Sequence, residues 1–121
     1  MQYKRNEPFR FTFTPPVDCT FTIVEIDHIM VNSKNAAGKL IDLSPNGAKI
    51  ASNLDIPINT KKVKVNMKFK INLDTILAVG ILVWKKEHTQ LGNSYGVQFE
   101  NTSVLTDVIT EELKLYAKQN R

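Results

Sequence analysis

Asp42-Leu43-Ser44-Pro45-Asn46-Gly47 places an Asp-x-Ser-x-x-Gly segment at the end of an apolar stretch, and two arginines, Arg5 and Arg10, stand upstream of it. An aspartate and a serine two residues apart can offer an acceptor and a hydroxyl donor/acceptor to one ligand edge. The glycine, with Asn46 beside it, suits a turn through φ > 0. Arginine adds a planar, permanently charged fork that pairs with phosphate and stacks on flat rings. The same Asp and Ser also serve, in many proteins, as a plain turn that only fixes the backbone.

Other groups with chemical potential lack partners at useful spacing. His28 and His88 are far apart and have neither zinc-ligand spacing nor a nearby nucleophile pattern. Glu25, Asp27 and Asp42 form no acid/base constellation, so the chain reads as a non-enzyme with no cofactor and no metal site. The single cysteine, Cys19, can make no internal disulfide and reads as a reduced thiol. Lys62, Lys64, Lys68 and Lys70 could form a stripe for nucleic acid, but no exposed aromatic interleaves them. A solvated strand face, or a lysine-protected edge, is the better reading, and nucleic acid is set aside as a partner.

The elements that must position these residues are mostly strands. At 121 residues, with 42% hydrophobic and 23% charged residues, the chain has room for one domain and one core. A net charge of +4 and a pI near 9.2 lean weakly toward anionic partners. Phe9, Phe11 and Phe13 alternate with polar residues until Pro15-Pro16, which is expected to stop that strand. The run from Thr20 to Ile26 changes phase at Val24, which predicts a bulge. Short strands flank the Asp-x-Ser-x-x-Gly turn. Lys62 to Leu73 alternates strictly, and Ile76 to Trp84 is apolar on both faces, as a strand covered on each side would be. Gly80 within it fits a bend or a close approach, and Trp84 reads as a core or rim anchor. A polar loop is expected over Lys85 to Ser94, then a strand with Tyr95, Val97 and Phe99 inward. From Ser103, a plausible N-cap, Leu105, Val108, Ile109, Leu113 and Tyr116 fall on one helical face. The pattern predicts a mainly β fold: a small six-stranded antiparallel barrel with a C-terminal helix packed on it. No apolar run is long enough for a membrane-spanning helix, and no signal-peptide pattern is present, so the reading is cytoplasmic.

Three landmarks in order then resemble the PilZ domain family, bacterial receptors for cyclic di-GMP. These are Asp42-x-Ser44-x-x-Gly47, the apolar Gly80-x-x-Val83-Trp84 strand, and Tyr95-Gly96-Val97-Gln98-Phe99. The resemblance covers roughly residues 4 to 100 and implies the same six-stranded barrel with a C-terminal helix. Read with the chain's own length and periodicity, this gives one domain over 1–121, with 1–8 expected as a flexible N-terminal arm and 103–118 as the helix. It also implies cyclic di-GMP as ligand, with Arg5 and Arg10 clamping phosphate and guanine while Asp42 and Ser44 read guanine and Gly47 keeps the turn open.

The family sets its two arginines four residues apart, whereas Arg5 and Arg10 are five apart. Aligning on Arg10 puts Asn6 at the first arginine position. In an extended strand Asn6 shares a face with Arg10 and Arg5 does not, unless Pro8 kinks the chain. Lys4 and Asn6 are therefore further candidates for contact with the ligand. The resemblance implies a receptor/adaptor that orders residues 1 to 10 over the ligand and signals through an unidentified protein effector. The alternative is a degenerate PilZ-like domain that binds no ligand and serves as a protein-interaction adaptor.

Overall fold

Apolar residues at every second position of Val63–Phe69 suffice to bury one side of a strand. Val63, Val65, Met67 and Phe69 point inward, and Lys64, Asn66 and Lys68 point outward. The computed structural model describes residues 10–100 and 102–120. The readings placed on Lys4, Arg5, Asn6 and the 1–8 arm lie outside the described residues. The described elements are β1 (Phe11–Ile26), β2 (Ile29–Met30), β3 (Ala36–Ser44), β4 (Gly47–Ser52), β5 (Val63–Phe69), β6 (Ile76–Thr89), β7 (Gly92–Phe99) and α1 (Ser103–Gln119).

The strands follow the order β2-β1-β3-β4-β7-β6-β5, and β1 also pairs with β5. Six antiparallel strands therefore close on themselves, and β2 is a two-residue appendage on the end of β1. This is the mainly β fold with a C-terminal helix that the sequence predicts. Its interior is filled by side chains such as Phe21, Leu40, Ile50, Val65 and Tyr95. Closure is uneven. β1 pairs with β3 over Phe11 to Phe21 but with β5 only from Cys19 onward, so the wall parts between β1 and β5 at the Phe11 end. The helix α1 fills that gap. Tyr116 packs edge-on against Phe11 and Phe13, with centroids 5.1 and 5.2 Å away. Ile109 and Leu113, one turn apart, are buried beside them, each contributing roughly 1.5–3 kcal/mol by leaving water. Asn72 Nδ2 donates to the Glu112 carbonyl oxygen at 2.9 Å and to its Oε1 at 2.8 Å, tying the chain after β5 to the helix.

Several local expectations give way. Pro15-Pro16 does not end the first strand; β1 runs through it. Between Thr12 and Val17 its partner β3 moves only from Asp42 to Leu40, so the prolines sit in a bulge where no ladder N–H is demanded. The predicted phase slip is a second bulge, between Ile23 and Glu25. Lys85 to Ser94 is no loop: β6 runs to Thr89 and β7 starts at Gly92, whose φ of 100° only glycine takes readily. The outer face of β6 is not covered along its length, because α1 closes the end of the sheet instead; Leu77 and Val83 meet solvent. Thr102, not Ser103, caps the helix, its Oγ1 accepting from Leu105 N at 3.1 Å.

Candidate functional site

Proline and asparagine between two short strands make a tight reversal, and here Ser44 and Gly47 face each other across a two-residue hairpin loop, Pro45-Asn46. The Ser44 hydroxyl is buried and donates to the Gly47 carbonyl at 3.3 Å, locking the turn. The Asn46 carbonyl accepts from Phe99 N at 2.9 Å, which ties the turn to the end of β7. Gly47 is required for a reason other than the expected positive φ, which it does not have. A Cβ there would lie 2.6 Å from the Val97 carbonyl oxygen, so the glycine allows β4 to approach β7 closely.

Asp42 owes its position to a bulge. Between Leu40 and Asp42, β3 spends one more residue than β4, which moves only from Ile50 to Lys49. Leu40 and Leu43 can then both point into the core while Ile41 and Asp42 share the outer side. On that side Asp42 stands opposite Thr12 of β1 and Lys49 of β4. Arg10 closes the group: its Nη1 donates to Asp42 Oδ1 at 3.0 Å. The Asp42 side chain is only 13% exposed and that of Arg10 37%, so the pair is a half-sheltered one at the surface. Of the residues singled out from the sequence, Arg10, Asp42, Ser44 and Gly47 therefore meet at the end of the sheet that α1 caps.

The same outer row continues further than the sequence indicated. Lys49 pairs with Gly96 of β7, and Gly96 pairs in turn with Trp84 of β6. Because Gly96 has no side chain, the Trp84 indole lies directly on its backbone; a Cβ would fall 2.0 Å from Nε1. Of the core or rim position expected of it, Trp84 takes the rim: 39% of it is exposed, with the Lys49 ammonium 5.9 Å from the ring centroid. The result is a surface strip that reads Arg10, Asp42, Lys49, Trp84: two cations around a carboxylate, ending in an aromatic plane. The signal available in the sequence was Gly96, which only register could align between a lysine on one neighbouring strand and a tryptophan on the other.

Neighbouring segments brace the strip. Lys85 is buried against Asp55, donates to the Ile56 carbonyl at 3.0 Å, and also faces Glu87 at 3.4 Å. The bond to Asp55 holds its ammonium above the ordinary lysine range. Tyr95, fully buried, accepts from Ile56 N at 2.9 Å and donates to the Leu54 carbonyl at 2.5 Å, fastening the loop after β4. At Gly80 a Cβ would come within 2.6 Å of Val97 Cγ1, the close approach its position in the strand predicts.

The remaining candidates lie elsewhere. The lysine face of β5 is flanked by β1 and β6, so it is a solvated face and not an edge. Lys64 on it is engaged by Glu100 at 2.7 Å and Glu25 at 3.4 Å, and the bond to Glu100 raises its pKa. His28 sits in the turn after β1 and His88 near the end of β6, at the irregularity between Lys86 and Thr89; both are exposed and have positive φ. Cys19 is buried beside Asp18, and burial pushes its thiol up to about 12. Among the described residues no cluster of His, Cys, Asp or Glu is arranged to hold a metal, and no helix is long and apolar enough to cross a membrane.

A closed antiparallel sheet with a filled interior leaves its outer wall, with the charged, aromatic strip, as the surface open to other molecules. Comparison with known proteins gives this fold its family. The PilZ domain model matches residues 3–113, and the chain belongs to the PilZ domain family. Among solved structures it is similar to the PilZ domain of YcgR from Escherichia coli with c-di-GMP. The TM-score is 0.69 at 12% sequence identity, over 93% of this chain and 92% of that one. That likeness is one of fold. Comparison with curated proteins gave no match.

Proposed function

We propose that this chain is a cytoplasmic, non-enzymatic receptor for cyclic di-GMP that passes its signal to a protein effector. The observation that carries the reading is the Arg10–Asp42 pair set in line with Lys49 and Trp84 on the outer wall, in a chain of the PilZ family. Cyclic di-GMP presents two phosphodiester charges and two guanines. Arg10 and Lys49 suit the phosphates or the guanine O6/N7 edge, and Asp42 can accept from guanine N1–H and N2–H. Trp84 offers a stacking surface. Ser44 and Gly47 fix the turn that presents Asp42, and Arg5, with Lys4 and Asn6, completes the clamp from residues 1 to 8, read as an arm on a single domain spanning 1–121. Because Arg10 already holds Asp42 without ligand, binding must exchange that ion pair for contacts to the nucleotide. This exchange is the switch that draws the arm across the site.

Isothermal titration with cyclic di-GMP tests the reading. Saturable binding that weakens on Arg10→Ala and on Asp42→Ala supports it. A folded protein that gives no heat, and gains none on Asn6→Arg, points to the ligand-free adaptor instead. The buried, internally bonded Ser44 hydroxyl is the feature that favours that second reading.

A further inference from the structure

At the end of the closed sheet opposite α1, three chain reversals meet, and each carries an exposed apolar side chain. Ile26, the last residue of β1, pairs with Val63, the first of β5; Ser52 ends β4 against Asn93, and Thr89 ends β6 against Gly92. Hydrogen bonds join the reversals. Asp27 N donates to the Lys62 carbonyl and Lys62 N to Asp27 Oδ1, both at 2.8 Å. Asn93 Nδ2 donates to the Leu54 carbonyl at 3.0 Å, and His88 N to Asn93 Oδ1 at 3.3 Å. Ile29 and Met30 of the first reversal are 68% and 84% exposed; Leu54 of the second and Leu91 of the third are exposed too. Successive strand residues face opposite ways, so Ile29 and Met30 leave their hairpin apolar and bare on both sides.

The charges around these tips are unequally engaged. Each carboxylate there is held by a lysine: Glu25 by Lys64, Asp27 by Lys61, and Asp55 and Glu87 by Lys85. Lys34, Lys62 and Lys86 are exposed at the same end, and among the described residues none of them has an ion-pair partner. Lys34 also lines a cavity of about 480 Å³ with Ser33, Asn35 and Asn53, whose ammonium, hydroxyl and amide donors are those a phosphodiester accepts from. We propose that this end settles on an anionic lipid surface. Ile29, Met30, Leu54 and Leu91 enter the headgroup layer, and the three lysines meet its phosphates. A protein of fixed shape covers one side of a hairpin, whereas a fluid lipid layer covers both and reaches three separate tips at once. The association is peripheral, and it does not depend on the ligand reading.

Co-sedimentation of the full chain with vesicles tests this, using phosphatidylcholine alone and phosphatidylcholine mixed with an equal part of phosphatidylglycerol. The chain is expected to bind the mixed vesicles, less tightly as salt rises, and the neutral ones about tenfold more weakly or worse. Met30→Asp and Leu91→Asp should each weaken binding to the mixed vesicles by about tenfold or more, and so should Lys34→Glu. Lys68→Glu makes the same change in net charge at an exposed lysine on the wall of β5, away from this end, and should alter binding little. All four positions are exposed, so the fold should survive, as circular dichroism would check; were Met30→Asp to misfold, Leu91→Asp decides. A parent that stays in solution with the mixed vesicles overturns the proposal and leaves the tips to a protein partner. So do tip variants that bind undiminished, or a loss on Lys68→Glu as large as that on Lys34→Glu.

Discussion

Replacing Gly96 by alanine should dismantle the aromatic end of the strip without disturbing the sheet. The three atoms nearest the added Cβ all belong to the Trp84 indole, at 2.0, 2.3 and 2.5 Å. Carbon atoms rest about 3.5–4.0 Å apart, so the ring must withdraw by roughly 1.5 Å. Gly96 has no positive φ, so the backbone itself accepts alanine. The displaced indole loses its bed on β7 and its place beside Lys49. If Trp84 stacks on a guanine, the lost stacking is about 1–3 kcal/mol, or roughly 5- to 150-fold in affinity for cyclic di-GMP. Trp84 is the single tryptophan, so its emission reports the displacement directly as a red shift. Titration calorimetry then reads the affinity of the parent, Gly96→Ala, Trp84→Ala and the double variant. The double variant should bind no more weakly than Trp84→Ala, because both changes act through one ring. Parent-like affinity in Gly96→Ala, with the emission shifted, would refute the platform; an unshifted emission would refute the packing itself.

Arg10→Ala should weaken cyclic di-GMP binding by roughly 1.5 kcal/mol or more while the denaturation midpoint barely moves, because an exposed ion pair adds little to stability. Calorimetry and urea titration separate the two effects. Tyr95→Phe strips the loop after β4 of its clamp and leaves Ile56 N–H without its acceptor, which should cost about 1–3 kcal/mol in urea unfolding. Cys19 should make stability fall at alkaline pH. The folded protein keeps the thiol proton up to about 12, whereas an ordinary thiol loses it near 9.0. The unfolded chain therefore releases the proton first, and this contribution is whole below pH 9 and lost as pH rises toward the folded value. Denaturation curves taken above pH 9 should show a shallower decline for Cys19→Ala than for the parent.

The strand faces were legible because alternation is a local signal: Val63 to Phe69 and Tyr95 to Phe99 bury the residues that their period assigns. The bulge at Ile23 was legible too, since a phase slip leaves a trace in hydrophobicity. The bulge at Asp42 was not, because Leu40 and Leu43 read equally well as a loose strand, and only pairing with Lys49 shows where the extra residue goes. Pro15-Pro16 misled because a proline signals a missing N–H, and a strand whose ladder lapses locally tolerates it. The loop expected at Lys85 to Ser94 failed for a related reason. Polar residues are required of any hairpin that projects past the core. Within the site, the Asp-x-Ser-x-x-Gly motif located one end, and Arg10 stands beside it in an ion pair that no spacing along the chain foretold. Lys49 and Trp84 stayed hidden because their neighbourhood arises from register across three strands, which no spacing along the chain encodes.

The central claim is that cyclic di-GMP is met on the outer wall between Arg10 and Trp84. Amide chemical-shift mapping of the full chain during titration with cyclic di-GMP tests it most directly. The account predicts saturable shifts centred on Asp42, Ser44, Lys49 and Gly96, together with the Trp84 indole N–H. Shifts centred on another surface, or a spectrum of a folded protein that the nucleotide leaves unchanged, would contradict it.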